Sequence, residues 1–240
     1  MQYVKGGIMK TTLVTGANRG IGLEFSRQYA EDGWRVLACC RNPEKADELN
    51  MLATKYPDRI NVYRLDVADH DRIDELARSL SDESIDLLIN NAGVYTDSHA
   101  GTFNNIDYEA WIRAFLVNTM APLKMAQAFA SNIARGSQKT IVTISSKMGS
   151  IADNTGGGSY MYRSSKAAAN MVVKTLAVDL KRSGIIAVVF HPGWVKTDMG
   201  GPKALISATQ SVSGMRHVIS RLMIADSGKF FAYDGQLVPW

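Results

Sequence analysis

Short apolar runs alternate with longer amphipathic runs from near residue 10 to the end of this 240-residue chain. Each kind of run carries its own geometric period, and their order restricts the fold more than any single residue does. Runs near Lys10–Thr15, Trp34–Cys40, Asn61–Leu65, Asp86–Asn90, Thr140–Ser145, Ile185–His191 and Lys229–Ala232 read as strands. They are apolar almost throughout, as strands are when both faces of a sheet are covered. Amphipathic stretches at about 20–32, 43–55, 69–80, 107–135, 159–183 and 209–225 predict the intervening helices. Repeated in this order, they predict a Rossmann-type α/β fold: a doubly wound, mostly parallel, seven-stranded sheet with helices on both faces. Gly33, Gly136 and Gly184 each follow a helical run, where a left-handed residue would end the helix.

No polar, Pro- or Gly-rich linker interrupts the alternation, so residues 1–240 are expected to form a single domain. Residues 1–8 read as an extension, and 194–208, with Gly200, Gly201 and Pro202, as a substrate loop containing a short helix. Hydrophobic residues at 46% and charged residues at 21% exclude a disordered or fibrous chain. The net charge of +4 is spread among acids rather than clustered, so no nucleic-acid partner is expected. Cys39 and Cys40 are adjacent on a strand and point to opposite faces, which suits neither a disulfide framework nor a metal cluster. His70, His99, His191 and His217 lack metal-ligand spacing. With no apolar run long enough for a signal peptide or membrane span, no membrane partner is expected, and the protein is expected in the cytoplasm.

The first strand runs into Thr15-Gly16-Ala17-Asn18-Arg19-Gly20-Ile21-Gly22. Glycines at this spacing, between a strand and a helix, let a pyrophosphate approach the backbone at the helix N-terminus. Gly16, Asn18, Arg19, Gly20, Ile21 and Gly22 are therefore candidate dinucleotide-binding residues. The second strand ends in Ala38-Cys39-Cys40-Arg41-Asn42, without the acid that would accept hydrogen bonds from an adenosine ribose and repel a 2′-phosphate. Arg41 could fork onto that phosphate, with Arg19 approaching from the opposite side, so NADP(H) is favoured over NAD(H). At the next two strand ends, Asp66 and Val67 face the adenine position, and Asn90, Asn91, Ala92 and Gly93 pass close to the adenosine.

Tyr162 and Lys166 stand four residues apart on a predicted helix, on one face and one turn apart. A phenol with a pKa of about 10 is a poor acid–base group near neutrality, and a nearby cation favours its ionised form. Lys166, with the positive nicotinamide of an oxidised cofactor, is thus expected to lower the pKa of Tyr162. Tyr160 is a rival phenol, but Ser164 rather than a lysine follows it by four residues. Ser145 and Ser146 end the fifth strand, where a hydroxyl could stabilise charge growing on a carbonyl oxygen.

With these motifs in order, the chain resembles the short-chain dehydrogenase/reductase family through the glycine turn, Asn90–Gly93, Asn118, the serine pair, Tyr162 with Lys166, and Pro192-Gly193. It is most similar to the C-factor and sniffer-type carbonyl reductase branch, through Asn154–Gly158, His191–Gly201 and Phe231–Gly235. Tyr162 follows Ser146 by an interval of sixteen. This exceeds the family's usual interval and fits the branch's glycine-rich insertion. The resemblance implies that Tyr162 exchanges a proton with the substrate oxygen, which Ser146, chosen over Ser145 by its place in the family pair, would hold. Lys166 would bind the nicotinamide ribose, Asn118 would order a relay water, and Pro192, Gly193, Val195 and Thr197 would contact the nicotinamide end. It further implies a reductase of small ketones, aldehydes or quinones. A homodimer or tetramer would form through the helices after the fourth and fifth strands, with Ala167–Ala169 permitting close helix approach. The alternative is a dinucleotide-binding sensor or signalling protein with little turnover.

Overall fold

The computed structural model describes residues 9–97 and 102–240; residues 1–8, His99 and part of the Tyr95–Asn105 loop lie outside the described residues. Seven strands form one sheet: β1 Thr11–Thr15, β2 Arg35–Cys40, β3 Ile60–Arg64, β4 Leu87–Asn90, β5 Thr140–Ile144, β6 Ile186–His191 and β7 Phe230–Ala232. Their order is β3-β2-β1-β4-β5-β6-β7, and every pairing is parallel. The helices are α1 Gly20–Glu31, α2 Asp47–Lys55, α3 His70–Ser79, α4 Tyr108–Phe115, α5 Ala121–Arg135, α6 Tyr160–Asp179 and α7 Ala208–Ile219. None of the described helices is long and apolar enough to cross a membrane.

Alternating side chains send each strand into two cores. Leu13, Leu37, Cys39, Leu88 and Ile141 pack beneath α3, α5 and α6 with Ile73, Phe129 and Val173. Val14, Val36, Cys40, Ile89 and Val142 pack beneath α1, α2 and α7 with Phe25, Leu49 and Met215. The strand order reverses between β1 and β4, so their C-terminal ends, Thr15 and Asn90, flank the crevice where ligands of open α/β sheets bind.

Three expectations change. Residues 107–135 are not one helix: a π-helical turn, Leu116–Met120, separates α4 from α5. Pro122 has no N–H to give the Asn118 carbonyl four residues earlier, so the α-helical ladder cannot run through this point. Gly136 is not left-handed but extended, at φ −64° and ψ 159°; it is a glycine because a Cβ there would fall on the Ile85 carbonyl. Residues 194–207 contain no helix. An isolated bridge between Val195 and Ile206 closes the segment as a loop, and the Trp194 indole N–H holds the Gly200 carbonyl at 2.8 Å.

Candidate active site

A cleft of about 680 Å³ opens along the C-terminal ends of the strands. Its first wall is the glycine turn. Gly16 and Gly20 take φ of +65° and +55°, which bare the backbone to the cleft, and Asn18, Arg19 and Ile21 line it beside them. Gly22 does not line the cleft; a Cβ there would coincide with the Gly16 carbonyl oxygen, so this glycine is what lets α1 press against the turn.

The turn is anchored from β4. Thr15 Oγ1 accepts the Asn91 and Ala92 N–H groups, each at 3.0 Å. The Asn91 amide donates to the Thr15 and Gly16 carbonyls at 2.9 and 3.1 Å. Asn91, Ala92 and Gly93 line the cleft, whereas Asn90 is buried beneath it. Asp66 and Val67 also line it; Asp66 Oδ1 accepts the Ala68 N–H at 3.0 Å, and the cap of α3 is Asp69.

At the end of β2, Arg41 is exposed on the cleft beside Asn42 and Lys45. Sequence reasoning missed Lys45, although a second base one turn beyond Arg41 was a readable signal. Arg113 on α4 is a further cleft cation that was not anticipated. Arg19 lines the same cleft as Arg41, with its guanidinium engaged by an acid. Its Nη1 lies 2.6 Å from Asp198 Oδ2, forming an exposed ion pair across the cleft mouth. The loop after β6 brings that carboxylate over the glycine turn, with Thr197 near Gly20.

The other end of the cleft holds the polar cluster. Tyr162 and Lys166, both on α6 and both buried, line it together with Ser145. Lys166 Nζ donates to the Ile144 carbonyl at 2.9 Å and stands 5.7 Å from the Tyr162 ring centroid. Burial pulls the Lys166 ammonium down to about 8. Burial likewise pushes the Tyr162 phenol up to about 12; the Ser146 side chain draws it back, and the neighbouring Tyr95 adds to the rise. The protein's own groups therefore raise the phenol, because desolvation outweighs any help from a cation whose ammonium is turned to a backbone carbonyl.

The two serines separate cleanly. Ser145 is fully buried, and its hydroxyl donates to the Lys166 carbonyl at 3.5 Å. Ser146 does not line the cleft, but its side chain draws the Tyr162 phenol down. Its Oγ also accepts the Met148 N–H at 3.1 Å, and His191 Nδ1 accepts the following Lys147 N–H at 3.2 Å. Asn118 is buried behind the cleft. Its Oδ1 accepts the Val94 N–H at 2.9 Å, and its amide donates to the Val94 carbonyl and to Ser165 Oγ at 2.9 and 3.0 Å.

Pro192 and Thr197 line the cleft. Gly193 and Val195 do not. Gly193 turns at φ +84° against Tyr233, and Val195 is buried in the bridge to Ile206. On α6, Ala167 and Ala168 are half-buried, while Ala169 points into the core and offers nothing to a neighbouring molecule.

A turn of bare backbone, exposed guanidinium and ammonium groups beside it, and a buried phenol–ammonium pair line one cleft, an arrangement able to hold an extended anion and to exchange a proton. A family model described as short chain dehydrogenase matches residues 10–205, and the chain belongs to the short-chain dehydrogenase/reductase family of oxidoreductases. The C-signal protein of Myxococcus xanthus is 44% identical over 156 residues, which are 65% of this chain and 93% of that protein. The fold superposes on an NADPH-bound carbonyl reductase from chicken fatty liver with a TM-score of 0.90 at 37% identity, covering 97% of this chain and 99% of that one. It superposes on the carbonyl reductase Sniffer of D. melanogaster with a TM-score of 0.89 at 32% identity, covering 97% and 100%.

Proposed function

We propose that this protein is an NADPH-dependent carbonyl reductase acting on a ketone, aldehyde or quinone, with Tyr162 as the general acid. The observation that carries the reading is the Tyr162 and Lys166 pair at one end of a cleft that also holds the glycine turn and Arg41, with the Ser146 hydroxyl on Tyr162. The cleft suits the dinucleotide on its own terms: a Cβ at Gly16 would crowd the Ala92 backbone at 3.0 Å, and the bared amides of a turn opening α1 suit a pyrophosphate. Arg41 and Lys45 would receive the 2′-phosphate, and the resemblance to an NADPH-bound relative supports that choice. When bound, the reduced cofactor supplies the hydride.

A phenol held near 12 is fully protonated at neutral pH, the form required to donate to a carbonyl oxygen. Ser146 Oγ accepts the Met148 N–H, and its hydrogen, which draws the Tyr162 phenol down, would pass to a substrate oxygen bound beside that phenol. Lys166, still protonated near neutrality, is positioned to bind the nicotinamide ribose and to return a proton toward Tyr162. Both Asn118 amide hydrogens are taken, so a relay water would rest on its backbone carbonyl, which Pro122 cannot satisfy. Exposed Ile112, Met171 and Val178 on α4 and α6 support a homo-oligomer through those helices.

The test is NADPH oxidation, followed by absorbance, over a panel of ketones, aldehydes and quinones, with wild type beside Tyr162→Phe. Turnover in the wild type with a loss of about 100-fold or more in the variant is expected. Tight NADPH binding without turnover of any carbonyl would replace this reading with a sensor role.

A further inference from the structure

The first-turn N–H groups of a helix have no partners within the helix and are ordinarily capped by the residue just before it. That residue in α6 is Ser159, a non-glycine in the left-handed region at φ 46° and ψ 47°, whose side chain makes no cap bond. The cap arrives instead from 65 residues away: Asp97 Oδ2 accepts the backbone N–H of Tyr162 at 2.8 Å. The Tyr162 carbonyl is bound as well, by Ser165 Oγ at 2.8 Å, and Ser165 Oγ in turn accepts from Asn118. Asn118 grips both the N–H and the carbonyl of Val94. The chain from Val94 to Asp97 then closes the circuit back to Tyr162.

Two further contacts tie this segment to the same helix end. The Tyr95 hydroxyl lies 3.1 Å from Ser159 Oγ. The Tyr95 ring meets the Tyr162 ring edge-on, at a centroid distance of 5.0 Å and an interplanar angle of 64°. The other Asp97 oxygen, Oδ1, is buried without a partner among the described residues.

We propose that Asp97 is a positioning residue for Tyr162: as a cap supplied from the segment after β4, it fixes where the phenol stands along the cleft. The inference rests on the reading of Tyr162 as the acid. A phenol displaced by a fraction of an ångström from the carbonyl oxygen loses rate without loss of cofactor affinity. The cap works through an acceptor atom, so Asp97→Asn, whose amide oxygen can still accept, preserves the function, and Asp97→Ala removes it.

The experiment compares wild type, Asp97→Ala, Asp97→Asn, Tyr162→Phe and the Asp97→Ala/Tyr162→Phe double variant in steady-state kinetics, with hydrogen exchange at the Tyr162 amide. Asp97→Ala is expected to lower kcat about tenfold with little change in NADPH affinity, and Asp97→Asn to retain most of kcat. In the Tyr162→Phe background, Asp97→Ala should change the residual kcat less than about twofold. The Tyr162 amide should exchange about tenfold faster in Asp97→Ala and near the wild-type rate in Asp97→Asn. The proposal is overturned if Asp97→Ala leaves both kcat and that exchange rate unchanged, if Asp97→Asn is as damaged as Asp97→Ala, or if the two losses simply multiply. Full activity in Tyr162→Phe would instead sink the reading of Tyr162 as the acid, and the exchange rates alone would then decide whether Asp97 caps the helix.

Discussion

The cleft has a floor and a rim, and they hold their residues by different means. On the floor, Thr15, Asn91, Asn118, Ser165 and Lys166 are buried or half-buried, and each bonds to backbone or to another fixed side chain. On the rim, Arg41 and Lys45 are exposed and form no ion pair among the described residues, and Arg19 meets Asp198 with both side chains mostly in solvent. The floor can therefore fix geometry to fractions of an ångström, as proton transfer requires. The rim contributes charge, which acts over distance, tolerates motion and is screened by salt. Substitutions on the floor should cost stability or rate, and substitutions on the rim should change selectivity by modest factors.

The largest effect should come from Gly22→Ala. The added Cβ would lie on the Gly16 carbonyl, a backbone atom that cannot step aside without lifting the turn from Asn91. A loss of about 3 kcal/mol in unfolding free energy is expected, with weakened NADPH binding. Gly157→Ala provides the contrast. Nothing lies within 4 Å of its Cβ position, so the positive φ of 61° is the whole penalty, about 1 kcal/mol. Equal losses in chemical denaturation would mean that packing at Gly22 does not set the floor.

His191, the last residue of β6, makes the comparison depend on pH. Burial and the nearby Lys147 pull its imidazole down to about 4, against the smaller opposing pull of Asp153 and Asp234. The unfolded chain takes up this proton near pH 6.5, so between about 6.5 and 4 the unfolded state binds more protons than the folded one. The stability contributed by a neutral His191 is thus complete above pH 6.5 and falls as pH drops through that window. Protonation would also remove the acceptor that holds the peptide after Ser146. Urea unfolding from pH 7 to 4 should show about 2 kcal/mol more loss in wild type than in His191→Asn. Coincident slopes would refute this.

Most of the floor's chemistry was legible in the sequence because its residues lie in contiguous motifs on elements of recognisable period: the glycine turn, Asn90–Gly93, and Tyr162 with Lys166. What escaped were the joints. Thr15 reaches Asn91 across 76 residues, and Asp97 reaches Tyr162 across 65, so no local spacing could announce either. The break at Pro122 was readable from the missing N–H, but the residues on both sides keep helical periodicity and masked it. The phenol's raised pKa was not readable at all, because spacing shows a neighbouring charge but not the burial that outweighs it. On the rim, the bases after β2 were visible, yet the partner of Arg19 lies 179 residues away.

Arg41→Glu should weaken NADPH binding about tenfold while moving NADH affinity far less, since Arg41 lines the cleft and is the residue proposed to receive the 2′-phosphate. Titration calorimetry with both cofactors measures it, and equal losses would show that the phosphate is read elsewhere, with Lys45 the next residue to examine.

The smallest effect should be at Arg19 and Asp198. A pair this exposed is expected to show a coupling of no more than about 1 kcal/mol in a double-mutant cycle on NADPH binding, shrinking as salt is raised. Asp198→Ala removes the strap across the cleft mouth but also frees Arg19 to turn toward the phosphate, and these consequences oppose each other, so the affinity should move by less than about twofold. The sign of any larger change is informative. A gain confined to NADPH would make Arg19 a second reader of the phosphate, held off by Asp198. A loss shared by NADPH and NADH would make the pair a closure over the part the two cofactors have in common.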